Sequence, residues 1–338
     1  MHNLSDYDYD LPEELIAQEP LAQRDGSRLL HLDKLTGEVY HRMFTDVPTL
    51  LREGDVLVVN NTRVTALRLL GERPTGGAVE CLLLRNHEVP RSFEALCKPA
   101  KKLQIGTLVH FPGGLTAEVT GIGGEGKRII QFLEVQDLGE KLNSFGSAPL
   151  PPYIHHRLED RERYQTTYAK HGGSSAAPTA GLHFTLEILS KLEEQGVRIA
   201  EVTLDVGIDT FRPVQNEDLS QHVMHGERCA ISNEASEIIN SAEGRVVCVG
   251  TTSVRTLETH AVAKGRVEPG ECVSKLFITP GFEWQIVDGM FTNFHLPKTT
   301  MLMMISALAD PKTVHNSYQI AISQHYRFLS FGDSMLII

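Results

Sequence analysis

The feature that most constrains the fold is a change of pattern along the chain. Between about residue 64 and residue 148, short apolar runs follow one another and are separated by glycine- and proline-containing turns. These runs are Val79–Leu84, Phe93–Leu96, Thr107–Phe111, Leu115–Val119 and Ile129–Leu133. Short strands between such turns are typical of an all-β unit. We therefore predict a small β-barrel-like domain over residues 64–148.

The rest of the chain alternates between helical and strand-like patterns. Leu186, Leu189 and Leu192 share one helical face, and the strand-like run Val197–Val206 follows after Gly196. Further predicted elements are helices at about Glu234–Ala242, Val254–Lys264, Thr300–Leu308 and Asn316–His325, and strands at Arg245–Val249 and Met335–Ile338. Such alternation predicts an α/β domain with a mixed sheet. The barrel would be inserted into it, so that residues 1–63 and 149–338 form one discontinuous domain.

Cysteine usage and apolar runs indicate a cytoplasmic protein. The five cysteines are odd in number and none has C-x-x-C spacing, which argues against a disulfide framework and a cysteine-based zinc site. The longest apolar run, near Met301–Leu308, is far shorter than the roughly 18 residues of a membrane span. The N-terminus has no signal-peptide pattern. We expect no membrane association.

The segment Gly172–Gly181 has almost no side-chain bulk. Such a loop exposes backbone N–H groups and lets a ligand approach the main chain. We predict that Ser174, Ala177, Pro178, Thr179 and Gly181 line a binding site. A flexible linker is the alternative, since glycine and serine also make linkers.

A second candidate is the segment Val249–Arg255, where an apolar strand runs through glycine and hydroxyl residues into a helix. Free N–H groups and hydroxyls at a helix start favour anions. We therefore predict ligand contacts from Gly250, Thr251, Thr252 and Ser253, and a bidentate grip of Arg255 on a carboxylate. Ordinary helix capping by threonine or serine is the alternative.

Two further polar segments, Asn60–Arg63 and Thr292–Pro297, follow apolar runs directly. Strand ends of α/β folds are where substrates bind, although asparagine and threonine also serve turns. His222 and His225 are three residues apart, which leaves open a metal site with a nearby aspartate, but H-E-x-x-H is absent.

The formal net charge of −11 argues against a nucleic acid partner when it is taken alone. Binding is local, however, and cations concentrate in two stretches. One stretch contributes Lys98, Lys101 and Lys102, and the other includes Arg157 and Arg163. A charged face that is merely solvated is the alternative.

Taken together, these segments resemble one family along nearly the whole chain. Ala177–Phe184, which reads Ala-Pro-Thr-Ala-Gly-Leu-His-Phe, is the most specific match. The others are Asp10–Gln18, Asn60–Val64, Pro149–Ile154, Glu162–Thr166, Val249–Glu258, Thr292–Pro297 and Tyr326–Ile338. The chain is similar to the S-adenosylmethionine:tRNA ribosyltransferase-isomerases. The resemblance implies an α/β domain with an inserted β-barrel and no metal.

The implied reaction transfers the ribosyl part of S-adenosylmethionine to 7-aminomethyl-7-deazaguanine at the tRNA wobble position, and adenine and methionine leave. A base must remove a C5′ proton beside the sulfonium. We expect His183 and His295 to act as acid–base groups and Arg255 to hold the methionine carboxylate. Asn61, Arg63 and Arg212 are weaker substrate-binding candidates, and the basic stretches would hold tRNA phosphates. We expect a monomer.

The chain departs from the family pattern at Asp205 and Asp209, where members usually have histidine and glycine, so a role for an imidazole at position 205 cannot be carried over. Two other classes stay open. One is a non-catalytic RNA-binding protein with the β-unit as its platform, although Phe93, Phe111 and Phe132 look like core. The other is a metal-dependent hydrolase using His222 and His225.

Overall fold

A computed structural model describes residues 3–124, 126–207, 214, 216–224 and 226–338. In chain order its strands are β1 (Arg28–Leu32), β2 (Val39–Met43), β3 (Val56–Asn60), β4 (Thr62–Val64), β5 (Leu67–Glu72), β6 (Ala78–Asn86), β7 (Ser92–Lys98), β8 (Leu108–Phe111), β9 (Leu115–Ile122), β10 (Lys127–Phe132), β11 (His171–Ser174), β12 (Arg198–Leu204), β13 (Glu227–Ile231), β14 (Val246–Val249), β15 (Ala261–Ala263), β16 (Arg266–Val267), β17 (Gly270–Ser274), β18 (Gly289–Asn293) and β19 (Ser334–Ile337). The helices are α1 (Leu138–Phe145), α2 (Leu186–Glu194), α3 (Asn233–Asn240), α4 (Gly250–His260), α5 (Thr300–Ala309) and α6 (Pro311–Ser323).

A nine-stranded mixed sheet forms the centre of the α/β part, in the order β17-β13-β12-β3-β14-β18-β19-β1-β2. The four strands β12, β3, β14 and β18 are parallel to one another, and β19 runs antiparallel to β18. Every residue of β3, β14 and β18 is buried. Strands covered on both faces need continuous apolar runs, which explains the Val- and Leu-rich sequences of β3 and β14. The predicted mixed α/β sheet is confirmed.

Two helices have other boundaries than predicted, because a capping residue or a following hairpin determines where the helix begins or ends. Helix α4 begins at Gly250 rather than Val254, and it ends at His260 because the next residues form the β15–β16 hairpin. Gly265, with φ +71°, provides the left-handed turn of that hairpin. Helix α6 begins five residues earlier than predicted, since the Asp310 carboxylate accepts bonds from two N–H groups of its first turn.

Residues 67–132 form a closed antiparallel barrel in the order β10-β7-β6-β5-β8-β9. Phe111 and Phe132 are buried inside it and Phe93 is partly buried against the same core, which leaves these rings little area for stacking bases. Strand β5 is absent from the predicted runs because Gly71 interrupts it. A Cβ atom on Gly71 would lie 2.5 Å from the His110 carbonyl oxygen, so glycine permits the close approach that closes the barrel.

The chain enters and leaves the barrel side by side. The backbone N–H groups of Arg68 and Ser147 each donate to the other residue's carbonyl oxygen, with N···O distances of 2.9 Å and 3.0 Å. We propose that residues 64–148 are an insertion into an α/β domain made of residues 1–63 and 149–338. In the described part of the chain, every helix is too short or too polar to cross a bilayer.

Candidate functional site

Three segments meet in one pocket beside the ends of β14 and β18. They are the small-residue loop at Ala177–Ala180, the first turn of α4 at Gly250–Thr252, and the segment Thr292–Leu296. Parallel strands of a sheet bring their carboxyl ends to the same edge, which explains why segments distant in sequence converge here. The described lining is completed by Tyr153, Val206, Thr299, Met301, Leu329 and Ser330.

The small-residue loop contributes Ala177, Pro178 and Thr179 to this pocket. Ser174 instead has a structural role: its hydroxyl donates to the Ala176 carbonyl at 2.6 Å and accepts the Val206 N–H at 3.0 Å. Gly181 lies against Tyr168, where a Cβ atom would be 2.1 Å from the phenol oxygen. Because β11 pairs with β4, the linker alternative does not describe the start of this segment.

Helix α4 presents its N-terminal end to the pocket through Gly250, Thr251 and Thr252. The Thr252 hydroxyl is buried and has no hydrogen-bond partner among the described residues. Ser253 is different, since its hydroxyl donates to the Val249 carbonyl within the helix at 2.8 Å. The first turn therefore offers N–H groups and one unused hydroxyl to an anion.

The prediction that Arg255 holds a ligand carboxylate is not supported by its position. Its guanidinium is buried and ion-paired with Glu227 of β13, and it also donates to the Ser274 carbonyl at 3.3 Å. Arg255 is three residues beyond Thr252, and its contacts are with the sheet rather than with the described pocket lining. The carboxylate it binds belongs to the protein itself.

His183 lies behind the pocket in a buried chain of polar groups. Its Nδ1 is 2.9 Å from the Ser27 hydroxyl, and its Nε2 is 3.4 Å from the Asn293 side-chain nitrogen. The Asn293 side-chain oxygen Oδ1 in turn accepts a hydrogen bond from the Thr179 hydroxyl at 2.8 Å. Burial lowers the pKa of His183 to about 4, so the imidazole is neutral at pH 7. His183 therefore reaches the pocket through Asn293.

His295 lines the pocket directly. Its Nε2 is 2.7 Å from the Thr292 hydroxyl, and its backbone N–H donates to the Tyr318 hydroxyl at 3.0 Å. The Tyr9 hydroxyl donates to its carbonyl oxygen. Burial lowers the pKa of His295 to about 3, so this imidazole is also neutral at pH 7.

These lowered pKa values predict an acid-sensitive fold. Because the pKa of each histidine is lower in the folded than in the unfolded protein, the unfolded protein binds more protons as the pH falls below about 6.5. The free energy of unfolding is therefore highest above pH 6.5 and decreases as the pH falls towards the pKa of the folded state. Between pH 6.5 and pH 5 each histidine should cost about 2 kcal/mol of unfolding free energy. Urea unfolding at pH 7.5, 6 and 5 would measure this. His295→Asn should flatten the decline, and identical profiles for variant and parent would contradict the assignment.

The other predicted substrate residues lie outside this pocket. Asn61 donates to Glu201 at 3.1 Å and accepts the Thr203 hydroxyl at 2.7 Å in a second groove. Arg63 is ion-paired with Glu162, and Arg163 donates to the Ala22 carbonyl at 3.2 Å. Lys98, Lys101, Lys102 and Arg157 are exposed. Arg212, Asp209 and His225 lie outside the described residues.

Asp205 lies in the second groove. It accepts the Thr62 hydroxyl at 3.3 Å, and burial raises the pKa of its carboxyl group. His222, of the predicted metal pair, has its ring 5.0 Å from that of Phe277.

Sequence reasoning missed three residues that shape the site. Ser27 orients His183, and Tyr153 bonds through its hydroxyl to that of Ser330 at 2.7 Å. Tyr153 and Ser330 stand in segments that resembled the family, so the resemblance carried a signal for them. Ser27 stands in a loop before β1 whose sequence has no distinguishing pattern.

The known proteins that this chain resembles belong to one family. A family model described as a queuosine biosynthesis protein matches residues 4–337. The S-adenosylmethionine:tRNA ribosyltransferase-isomerase of Symbiobacterium thermophilum is 52% identical over 340 residues, which cover 99% of each chain. A crystal structure of S-adenosylmethionine tRNA ribosyltransferase from Thermotoga maritima is similar with a TM-score of 0.56 and 36% identity, covering 98% of this chain and all of that one.

Proposed function

The chain belongs to the queuosine biosynthesis family, and we propose that it catalyses the reaction for which its 52%-identical relative is named. It is an S-adenosylmethionine:tRNA ribosyltransferase-isomerase. It moves the ribosyl part of S-adenosylmethionine onto 7-aminomethyl-7-deazaguanine at the wobble position of tRNA, giving epoxyqueuosine. The match over the whole chain carries this proposal, and five of the segments that resemble the family contribute residues to the pocket.

The methionine end of S-adenosylmethionine is assigned to the first turn of α4. No charged side chain is present among the described residues that line the pocket, so a carboxylate there needs uncharged donors. The free N–H groups of a helix N-terminus supply them, and the helix dipole favours the negative charge. The Thr252 hydroxyl, buried without a described partner, would donate a further bond. Arg212 stays a predicted additional contact.

Thr252→Val should weaken S-adenosylmethionine binding about ten- to hundredfold. Valine has nearly the shape of threonine, so the change removes a charge-assisted hydrogen bond worth about 1.5–3 kcal/mol and little else. Calorimetric titration with S-adenosylmethionine measures it. Ser253→Ala is the matched control, since that hydroxyl bonds within the helix. If Thr252→Val and the parent chain bound S-adenosylmethionine with equal affinity, Thr252 would not contact the ligand.

His295 is the candidate for moving protons, and His183 is a positioning residue. A neutral imidazole can accept the C5′ proton that the sulfonium acidifies. The imidazolium so formed can then protonate the departing adenine, so one group would serve both steps. His183 would hold the Asn293 amide, and through it Thr179, against the substrate. The pocket's apolar residues, Phe294, Leu296, Met301 and Leu329, would exclude water. We propose that the reaction step needs no metal.

The tRNA is assigned to the exposed cations of the barrel and of the segment near Arg157. Replacing Lys101 and Lys102 together with alanine should weaken tRNA binding and lower the slope of log K against log salt by about 1–2. Affinity for S-adenosylmethionine should stay the same. Filter binding at several salt concentrations tests this, with the exposed Lys312→Ala as control. An unchanged slope would place the tRNA elsewhere on the protein.

The function itself is tested by incubating the chain with S-adenosylmethionine and a tRNA carrying 7-aminomethyl-7-deazaguanine. Adenine and methionine should appear in equal amounts, and the modified nucleoside should gain the ribosyl group. A tRNA with unmodified guanine at the wobble position is the control, because it lacks the attacking amine. We propose that the chain acts as a monomer in the cytoplasm, where it would meet its tRNA substrate.

A further inference from the structure

Two cysteines and one histidine meet at the far end of α4 from the pocket. Cys229 of β13 and Cys272 of the edge strand β17 are directly opposite each other in antiparallel register. Their sulfur atoms are 3.4 Å apart. His260, the last residue of α4, places its Nε2 3.3 Å from the Cys272 sulfur and 3.8 Å from the Cys229 sulfur. The three ligand atoms therefore form a compact triangle.

This triangle has nearly the dimensions of one face of a tetrahedral zinc site. With Zn–S of about 2.3 Å and Zn–N of about 2.0–2.1 Å, tetrahedral angles separate two sulfurs by about 3.8 Å and a sulfur from a nitrogen by about 3.6 Å. Each observed separation is within about 0.4 Å of these values. Ordinary side-chain adjustments therefore suffice to bring all three ligands onto one ion.

The surroundings orient the histidine for metal binding. His260 Nδ1 is 3.0 Å from the Glu268 carbonyl oxygen. This oxygen can only accept a hydrogen bond, so Nδ1 carries the proton. Its Nε2 must then carry the lone pair that points at the two sulfurs. Metal-bound histidines are held in this way by a bond from the other ring nitrogen.

The charges also favour a divalent cation. Two thiolates neutralise a 2+ ion, so the buried complex would carry no net charge. The nearby Arg255 is compensated by Glu227 of the same strand β13. The C-terminal end of α4, with the negative end of its dipole, lies beside the cluster.

We propose that Cys229, His260 and Cys272 bind one zinc ion, with water in the fourth position next to the partly exposed Cys272. The ion would tie the C-terminal end of α4 to β13 and to the edge strand β17. The other end of the same helix lines the pocket, so the ion would fix the helix that carries Thr252. This site does not depend on the function proposed above. Its ligands stand 31 and 12 residues apart, and only the folded sheet brings them together.

The chain contains a matched control for this site. Cys81 and Cys97 of the barrel are also opposite each other, with sulfurs 3.4 Å apart, but no histidine joins them in the described structure. The experiment uses the full chain, stripped by a chelator under reducing conditions and then titrated with Co²⁺ and Zn²⁺. The variants are Cys272→Ala, His260→Gln and Cys81→Ala, each checked for folding by circular dichroism.

The parent chain and Cys81→Ala should bind one equivalent of Co²⁺ with a thiolate-to-cobalt charge-transfer band, and Zn²⁺ should abolish the band. Cys272→Ala should lose the band, and His260→Gln should weaken it strongly. In the parent chain, Zn²⁺ should also protect Cys272 from alkylation, a measurement that needs no variant. Absence of the band and of this protection, or formation of only a Cys229–Cys272 disulfide, would overturn the proposal. So would a band that survives in folded Cys272→Ala.

Discussion

His295→Asn should lower kcat by about 10²- to 10⁴-fold, which is the usual contribution of a positioned acid–base group. Asparagine can still bond to the Thr292 hydroxyl, and the backbone contacts of residue 295 with Tyr318 and Tyr9 do not involve its side chain. The fold and the affinity for S-adenosylmethionine should therefore change little. Single-turnover adenine release, measured with saturating tRNA, separates this loss from weaker binding.

His31→Asn is the control for the loss of a histidine elsewhere. Burial lowers the pKa of His31 too, but this residue lies on β1, away from the described pocket lining. Its kcat should equal that of the parent chain. His183→Asn should have an intermediate effect, because His183 acts through Asn293. If His295→Asn turned over at the parent rate, the proton would have to be moved by another group.

Arg255→Ala should lower the free energy of unfolding by about 3–5 kcal/mol, the usual cost of breaking a buried ion pair by removing one partner. Both side chains of the pair are 7% exposed, so water cannot replace the guanidinium that Glu227 would lose. Glu227 would keep its bond from the Gly207 N–H, at 2.8 Å. Urea unfolding at pH 7.5 measures the difference.

The exposed pair Arg228–Glu271 is a close control, since Arg228 follows Glu227 on the same strand. Both of its side chains are 64% exposed, and Arg228→Ala should cost less than about 1 kcal/mol. The double variant Arg255→Met with Glu227→Gln should recover part of the lost stability, because both charges of the buried pair are removed together. If Arg255→Ala were as stable as the parent chain but no longer bound S-adenosylmethionine, Arg255 would be a ligand-binding residue rather than a structural one.

The case of Arg255 also shows where sequence reasoning ended. The pattern Gly-Thr-Thr-Ser predicted ligand contacts at a helix start, because strand ends and helix starts are local features, and Gly250, Thr251 and Thr252 line the pocket. An arginine one turn further on can point to either side of the helix. Its partner Glu227 lies on β13, and only the sheet order places β13 beside α4.

The division between His183 and His295 could not be read from the sequence for the same reason. Both histidines stand in segments that match the family resemblance. Their positions in the fold separate them, since His295 lines the pocket and His183 bonds to Asn293, which lines it. The barrel, by contrast, was predicted well because its strands are contiguous in sequence. Only β5 was missed, where a glycine serves barrel closure and looks like a turn residue.

The paired backbone groups of Arg68 and Ser147 have a consequence for how such a chain could have arisen. The chain enters the barrel at Arg68 and leaves it at Ser147, and these two residues are hydrogen-bonded to each other. Removing the barrel would therefore leave two chain ends that a turn of a few residues can join. The described pocket lining contains no barrel residue. An ancestor without the barrel could therefore have bound S-adenosylmethionine. Insertion of the barrel would then have added a surface for tRNA with little change to the α/β domain.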